Sequence, residues 1–340
     1  DVRAGGDAAH ADADLRCQHT RSGHAMNIVI LAGGLSHERD VSLRSGRRIA
    51  ESLRDLGIPV TVSDVDAKLL GQWEIEAPSV VVPLLHGTNG EDGSLRDVLE
   101  ALHVAYVGSR PDACRIAFDK PIAKAVAHAA GIRTPKSVAL PHSTFRELGA
   151  DAVIKAVAEK VGLPAIVKPT KSGSSLGATV VRDIRELPAA LVASFAYGDV
   201  ALVEQFIDGT EIAVSVIERD GVPEALPAVE IVPDGGFYDY AARYTAGTTE
   251  FFAPARLEAG TAAAAAKVAI DAHMALGLRD LSRSDLIVDA NGDIWFLEVN
   301  VAPGMTETSL FPLAVEAAGL GLGDVMKALV ETAARRKVTA

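Results

Sequence analysis

Apolar positions along this chain follow two rhythms, one typical of buried strands and one of amphipathic helices. Short and almost wholly apolar runs occur near the start, at residues 27–31, 58–63 and 79–85. Stretches in which apolar residues recur at helical spacing lie between and after these runs, at residues 42–56 and 94–102. Gly57 follows the first such stretch, where a helix is expected to end. The alternation predicts a small parallel α/β domain over residues 27–108, with ligand-binding loops after its strands.

The pattern changes after residue 108. A helix is expected to begin at Asp119-Lys120-Pro121, because Asp is a favoured N-cap and Pro is tolerated in the first turn. Gly131 marks its expected end. Apolar runs with the length of strands then follow at residues 164–168, 178–181 and 201–205. These elements predict a central domain over residues 109–204.

A third domain is predicted over residues 205–340. It should contain strands near residues 211–216 and 225–231 and an Ala-rich helix over residues 261–276. Between them lies a loop rich in Gly, Tyr and Thr, at residues 233–252. A loop this long in a compact domain is often a lid over a site.

The most informative pattern is a hairpin near residue 291. Apolar runs at residues 284–289 and 294–297 flank Asn291-Gly292, the strongest short-range hairpin signal. A two-residue turn there would place Asp285 directly opposite Glu298, and strand alternation puts Asn300 on the same face. Two carboxylates and an amide offer only hard oxygen ligands, which suit Mg²⁺ or Mn²⁺. For such a pair in isolation, ordinary surface acids remain the usual alternative.

Composition narrows the class of protein. A formal net charge of −12 argues against nucleic acid or an anionic membrane as the main partner. No apolar run is long enough to span a membrane. The two cysteines form no disulfide framework, so a cytoplasmic location is expected. Residues 1–26 lack apolar periodicity and a signal-peptide core, and we expect a disordered N-terminal extension before the first strand.

Five further segments carry candidate chemistry, each with a simpler structural alternative. Lys168 leads into a Gly/Ser loop that can fold backbone N–H groups over phosphates, although an ordinary hairpin loop is common. Glu204 and Glu211 flank a turn where a nucleotide could bind, or they are surface acids. Arg243 and Tyr244 in the long loop are candidates for closing over a substrate, or part of a packed aromatic cluster. The loops after two early strands hold Glu38 and His86, residue types that are more often structural.

Seven motifs in order resemble the ATP-grasp carboxylate–amine ligases, and within them the D-alanine–D-alanine ligase family. They are GGLSHERDVS, HGTNGEDGSLRD, DK at residues 119–120, VKPTKSGSSLG, FYDYAARY, RSD at residues 283–285 and EVNVAPGMTETSL. The match runs from residue 27 to the C-terminal region. The resemblance implies a three-domain ATP-grasp fold, with ATP held between the central and C-terminal domains.

The resemblance also implies a reaction: ATP activates one D-alanine as an acyl phosphate, and the amine of a second D-alanine displaces phosphate to give D-alanyl-D-alanine for peptidoglycan. Its cofactors would be ATP and two Mg²⁺ or Mn²⁺ ions, and its assembly a homodimer. The implied metal ligands are Asp285, Glu298 and Asn300. The implied nucleotide-binding residues are Lys120, Lys168, Glu204, Ile207, Glu211 and Arg243.

The remaining roles concern the amino acids. Glu38 would receive the first ammonium and join Ser174 and Tyr244 in a hydrogen-bonded set, with His86 lining that pocket. Arg283 and the Gly304 N–H would stabilise the oxyanion. Ser309 and Leu310 would bind the second carboxylate.

Two positions depart from the family pattern. Arg243 stands where Lys is frequent, which keeps the charge but changes the contact geometry. Val301 replaces a common hydroxyl residue. Tyr244 favours a dipeptide product, and the alternatives are a D-lactate or D-serine acceptor, or a nucleotide-binding regulator without catalysis.

Overall fold

A computed structural model describes residues 26–236, 238, 243, 245 and 247–336 of the chain. The predicted N-terminal extension, apart from Met26, lies outside these residues. Three sheets and the helices that cover them make up the described fold. Within the described residues, no helix combines the length and the apolarity needed to cross a membrane.

The first sheet is parallel, as the alternation of strands and helices predicts. Its strands are β1 (Ile28–Leu31), β2 (Val60–Ser63), β3 (Val80–Pro83) and β4 (Ala105–Tyr106), in the order β2-β1-β3-β4. Its helices are α1 (Arg39–Asp55), α2 (Leu69–Ile75), α3 (Thr88–Glu91) and α4 (Ser94–Ala101). All residues of β1 and β3 are buried, because helices cover both faces of the sheet.

The second sheet is antiparallel, in the order β5-β8-β6-β7. Its strands are β5 (Ser137–Pro141), β6 (Ala165–Pro169), β7 (Thr179–Val181) and β8 (Val200–Gln205). The helices of this stretch are α5 (Pro111–Phe118), α6 (Lys120–Ala129), α7 (His142–Leu148), α8 (Ala150–Val161) and α9 (Leu187–Phe195), with a 3-10 turn at Ile184–Glu186. Asp119 caps α6 as expected, since its side chain accepts a hydrogen bond from the Ile122 N–H.

The third sheet is also antiparallel, in the order β12-β11-β9-β13-β14, with β10 paired to β9. Its strands are β9 (Gly209–Arg219), β10 (Val222–Ala225), β11 (Val229–Pro233), β12 (Thr249–Phe252), β13 (Leu281–Asp289) and β14 (Ile294–Asn300). Its helices are α10 (Ala259–Ala275), α11 (Leu310–Ala317) and α12 (Leu322–Arg335). The predicted strand over residues 225–231 is wrong: Pro227 lies between β10 and β11, where it would break the ladder.

Two shared cores join these layers. Apolar residues of β1 and β3 pack in one core with α11 and α12, as Ile30, Phe311 and Leu329 illustrate. A second core contains α5 and α6 together with strands of the third sheet, including Cys114, Ala127 and Phe296. Both cores bring the loops of the first sheet and helix α6 against β13 and β14.

Candidate active site

The hairpin of β13 and β14 places Asp285 opposite Glu298 and Arg283 opposite Asn300. The predicted pair is confirmed, but the two-residue turn is wrong. The Asp289 N–H donates to the Asp293 carbonyl, which makes the turn one residue longer, and Gly292 adopts φ +81°. An irregularity after Asp285 shifts the register back by one residue. The two offsets cancel, so the turn arithmetic gives the right pair from the wrong turn.

Arg283 and Asp285 form a buried two-pronged ion pair on this face. Arg283 Nε lies 2.7 Å from Asp285 Oδ1, and Nη2 lies 2.9 Å from Oδ2. Asn300 Nδ2 adds a contact of 3.3 Å to Asp285 Oδ2. Charge-assisted paired hydrogen bonds of this kind fix both partners in orientation. The guanidinium is therefore held in place beside the carboxylate.

Glu298 meets a lysine from the other side. Lys120 Nζ, near the start of α6, lies 3.2 Å from Glu298 Oε2 and donates to the Ser172 carbonyl at 2.6 Å. Burial raises the pKa of Glu298, but Lys120, Lys168 and Arg243 outweigh it and hold that pKa at about 2. Glu298 is thus a partly buried carboxylate that keeps its charge.

A second buried network lies beneath Lys168. Its Nζ is 2.7 Å from Glu204 Oε2, and Lys124 Nζ contacts the other oxygen of Glu204. Lys124 also donates to the Phe296 carbonyl at 3.3 Å. The family resemblance implies that Glu204 binds the nucleotide. In the structure, each of its two carboxylate oxygens contacts a lysine. Lys124 lies in α6 and completes this network, and none of the sequence motifs indicates it.

A cavity of about 360 Å³, called here the first cavity, lies between the second and third sheets. Predicted site residues on its wall are Lys120, Lys168, Ile207, Glu211, Arg243, Asp285 and Glu298. Burial raises the pKa of Glu211 to about 7. The Nε of Arg243 is buried and makes no hydrogen bond within the described part of the chain. Lys120, Lys168 and Arg243 on this wall, the last with an unsatisfied donor, are suited to phosphate oxygens.

A cavity of about 400 Å³, called here the second cavity, lies on the other side of Arg243 and Tyr238, which line both. Predicted residues on its wall are Glu38, His86, Ser174, Arg243, Arg283, Asn300, Gly304, Ser309 and Leu310. The Arg243 guanidinium lies 4.3 Å from the centre of the Tyr238 ring. Tyr244 lies outside the described residues, so its predicted role stays a prediction. Tyr238 sits in the same motif, and the aromatic content of that motif was the only signal for it.

Glu38 and Ser174 meet at the edge of the second cavity. The Ser174 hydroxyl donates to Glu38 Oε1, although the two residues are far apart in sequence. Ser174 and Ser175 adopt positive φ values of 53° and 55°, which are uncommon for residues with a side chain. Such backbone strain is typical of functional loops. Glu38 and Ser174, two of the three residues predicted to form a hydrogen-bonded set with Tyr244, are therefore in contact.

His86 ties two loops together. Its Nδ1 lies 3.0 Å from the Ala302 carbonyl, which can only accept, so Nδ1 carries the hydrogen. Its Nε2 lies 3.2 Å from Ser45 Oγ. Burial lowers the pKa of His86, which keeps the ring neutral. The side chain is a fixed, uncharged part of the cavity wall.

The turn after β14 forms the remaining wall. A Cβ at Gly304 would lie 2.7 Å from Ser309 Oγ, so only glycine fits there without a shift. Ser309 Oγ accepts from the Thr306 N–H at 3.0 Å and lies 2.8 Å from Thr306 Oγ1. Ser309 precedes α11, whose first N–H groups have no partner within the helix. The turn thus presents backbone donors to the second cavity.

The donors at the hairpin fit a magnesium-type ion only in part. Asp285, Glu298 and Asn300 supply hard oxygens on one face, but among the described residues no group of three or more His, Cys, Asp or Glu side chains is placed to hold a metal ion. Mg²⁺ usually takes one or two carboxylates and completes its shell with water and substrate phosphates. The donor set fits an ion that arrives with phosphate.

Comparison with known proteins decides the family. A family model described as the D-ala D-ala ligase C-terminus matches residues 126–331. The D-alanine–D-alanine ligase of Anaeromyxobacter dehalogenans strain 2CP-C is 38% identical over 90% of this chain and 96% of its own length. The chain belongs to the D-alanine–D-alanine ligase family. The ligase of Fervidobacterium nodosum is 36% identical over 92% of this chain and all of its own length.

Solved structures of D-Ala ligases share the fold. The D-alanine–D-alanine ligase from Bacillus anthracis complexed with ATP has a TM-score of 0.76 and 29% identity, covering 92% of this chain and 98% of its own. The VanG D-Ala:D-Ser ligase from Enterococcus faecalis has a TM-score of 0.79 and 27% identity, covering 91% of this chain and 100% of its own. The ATP-grasp fold predicted from the motifs is confirmed.

Proposed function

We propose that this chain joins two D-alanine molecules to D-alanyl-D-alanine at the expense of ATP, releasing ADP and phosphate. Membership of the family supports this proposal, because the curated relatives that cover most of the chain carry that activity in their names. The single structural observation behind it is the pair of adjoining cavities, one with two lysines and an arginine beside the carboxylates of the hairpin and one with both an acid and a guanidinium on its wall. The dipeptide is expected to serve as a precursor in peptidoglycan synthesis.

In this proposal ATP occupies the first cavity. Lys120, Lys168 and Arg243 present cations to its phosphates, while Ile207 and Glu211 line the end for the nucleoside. Glu204 acts by holding Lys168. Asp285, Glu298 and Asn300 would hold two Mg²⁺ or Mn²⁺ ions, which when bound would supply neutralisation of the phosphate charge.

The two amino acids occupy the second cavity. Glu38, hydrogen-bonded to Ser174, receives the ammonium group of the first D-alanine, whose carboxylate then faces the γ-phosphate. After the acyl phosphate forms, the amine of the second D-alanine attacks its carbonyl carbon, and phosphate leaves from the tetrahedral intermediate. Arg283 and the Gly304 N–H stabilise the oxyanion. Ser309 and Leu310 at the start of α11 bind the second carboxylate.

The lid over residues 233–252 completes the site. Strands β11 and β12 pair at its base, and Arg243 and Tyr238 separate the two cavities. Closure over ATP and the first amino acid would exclude water, which would otherwise hydrolyse the acyl phosphate. Tyr244 would join Glu38 and Ser174 in the closed state. The domain division, a homodimer and a cytoplasmic location complete the proposal.

Product analysis with D-alanine as the sole amino acid tests the proposal. Purified protein with ATP and Mg²⁺ should form D-alanyl-D-alanine, ADP and phosphate in equal amounts, and neither ADP nor dipeptide should form without D-alanine. ADP release without dipeptide would refute ligation. A mixed product when D-serine or D-lactate is added at equal concentration would favour the alternative acceptors, for which the VanG D-Ala:D-Ser ligase is a structural precedent.

A further inference from the structure

Glu91 is a buried acid on the wall of the second cavity, and the proposed reaction leaves it without a role. It ends α3, directly after β3, and is 8% exposed. Its neighbours on the cavity wall include Glu38, His86 and Arg283. Acids are rarely buried unless they are paired, and Glu91 forms no salt bridge among the described residues. Its position therefore needs a reason.

Among the described residues, the carboxyl group of Glu91 makes a single hydrogen bond, and its partner is a backbone group. Glu91 Oε1 accepts from the Gly87 N–H at 3.0 Å. Gly87 has φ +76°, and a Cβ there would lie 2.6 Å from Glu38 Oε2. The backbone of Gly87 is thus the surface against which the Glu38 carboxylate packs. Glu91 holds that surface in place.

The loop around Glu91 has little freedom to move. A Cβ at Gly90 would collide with the Leu85 carbonyl oxygen, so the backbone of α3 lies directly against the loop that follows β3. Arg96 is 1% exposed and donates to the Gly90 carbonyl from below. The carboxyl of Glu91 is therefore held at the cavity wall and cannot turn to solvent without disturbing these contacts.

We propose that Glu91 is a positioning residue of the first amino-acid pocket, which fixes Gly87 and through it the Glu38 carboxylate that receives the substrate ammonium. The inference rests on the proposed function of the second cavity. Its consequence is that Glu91 acts on amino-acid affinity, while phosphate binding in the first cavity does not depend on it.

The charge state of Glu91 fits this role. Burial raises the pKa of Glu91 to about 8, and the negative charge of Glu38 adds to this effect. The Gly87 N–H, Arg283 and Arg96 lower the pKa, but their effects are smaller. Neutral His86 also faces this part of the cavity. At neutral pH the cavity then offers the ammonium one carboxylate, that of Glu38. Ionisation at higher pH would set a second negative charge beside it and repel the carboxylate of the substrate.

Three variants test the inference. Glu91→Ala removes the acceptor and leaves the Gly87 N–H without a partner, so KM for D-alanine at the first site should rise roughly tenfold or more. KM for ATP should change by less than about twofold. Glu91→Gln keeps an acceptor without charge and should rescue most of that loss. Glu51→Gln is the matched control, since Glu51 is an exposed acid on α1 away from both cavities.

The pH dependence separates positioning from general loss of structure. In the wild-type protein, affinity for D-alanine should fall as pH rises through about 8, and in Glu91→Gln this fall should be absent. A Glu91→Ala protein that melts at the wild-type temperature and keeps the wild-type KM would overturn the inference. So would a Glu91→Gln protein as impaired as Glu91→Ala, or one that keeps the alkaline fall. If the wild-type protein makes no dipeptide in the same assay, the proposed function fails instead.

Discussion

Glu298 in the first cavity is partly buried and Glu91 in the second is buried, and their surroundings shift the pKa values of these two acids in opposite directions. The pKa of Glu298 lies at about 2 because Lys120, Lys168 and Arg243 outweigh the effect of burial. The pKa of Glu91 lies at about 8 because burial dominates and the nearest charge, on Glu38, has the same sign. Burial raises the pKa of both acids, so the sign of the neighbouring charges decides which of the two carboxyl groups stays ionised.

This difference matches what each cavity is proposed to bind. In the first cavity Lys120 is paired with Glu298 and Lys168 with Glu204, so these two cations are fixed before phosphates arrive. The second cavity places the neutral ring of His86 near Glu38, and the guanidinium groups of Arg44, Arg243 and Arg283 also lie on its wall. One region is organised for several negative charges, and the other for a single ammonium and its carboxylate.

The largest expected effect is on catalysis at Asp285. Asp285→Asn removes the carboxylate that orients Arg283 and one proposed metal ligand, so turnover should fall roughly 100-fold or more. The fold should survive, because Asn has nearly the same volume. Steady-state ADP release with saturating ATP and D-alanine measures this. Turnover within a few-fold of wild type would remove Asp285 from the mechanism.

The next effect is on stability at Lys124. Lys124→Met removes one of the two cations that contact Glu204 and leaves its carboxylate paired with Lys168, so it should cost about 1.5–3 kcal/mol of unfolding free energy. Glu204→Gln instead leaves both Lys124 and Lys168 without their carboxylate, and it should cost more, about 3–5 kcal/mol. Lys267→Met breaks an exposed pair with Asp271 and should cost less than about 0.5 kcal/mol. Urea unfolding of the three proteins checks the ranking, and equal losses at Lys124 and Lys267 would contradict it.

Acid stability sharpens the comparison between the cavities. The folded pKa of Glu298 is depressed, so its stabilisation is present above its unfolded value of 4.5 and is lost as pH falls from there to about 2. The folded pKa of His86 is also depressed, so its contribution to stability is present above its unfolded value of 6.5 and is lost as pH falls below that value. This window lies at higher pH than the window of Glu298.

Two variants isolate these windows. Glu298→Gln should flatten the fall of unfolding free energy between pH 4.5 and 2, by on the order of 3 kcal/mol. His86→Gln should flatten the fall that begins below pH 6.5, with a slope change of at most about 1.4 kcal/mol per pH unit. Denaturant unfolding across pH gives both. A change in the same window for both variants would mean that the two cavities do not differ in the way described.

Local patterns carried much of the prediction of fold and site. Asp119 caps its helix because the cap is a short-range hydrogen bond, and the strands of the first sheet follow from their apolar runs. The pair of Asp285 and Glu298 was predicted through a turn that is wrong by one residue, and a compensating irregularity restored it. Sequence spacing alone contains no sign of that irregularity.

The missed features depend on contacts between distant parts of the chain. Lys124 reaches Glu204 and the Phe296 carbonyl only because α6 packs against the third sheet, and no local spacing indicates that packing. Glu91 likewise gains its environment from Glu38 and Arg283, which come from other elements. In the sequence, Lys124 and Glu91 resemble ordinary charged surface residues. Their roles depend on their being buried against other elements of the fold.

The central claim is that ATP in the first cavity activates a carboxylate bound in the second, and an isotope test addresses it directly. D-alanine labelled with ¹⁸O in its carboxyl group is incubated with the protein, ATP and Mg²⁺, and the phosphate released is analysed by mass. Attack of the carboxylate on the γ-phosphate, followed by displacement by the second amine, predicts that each phosphate carries one labelled oxygen. Unlabelled phosphate formed together with dipeptide would contradict the acyl-phosphate route.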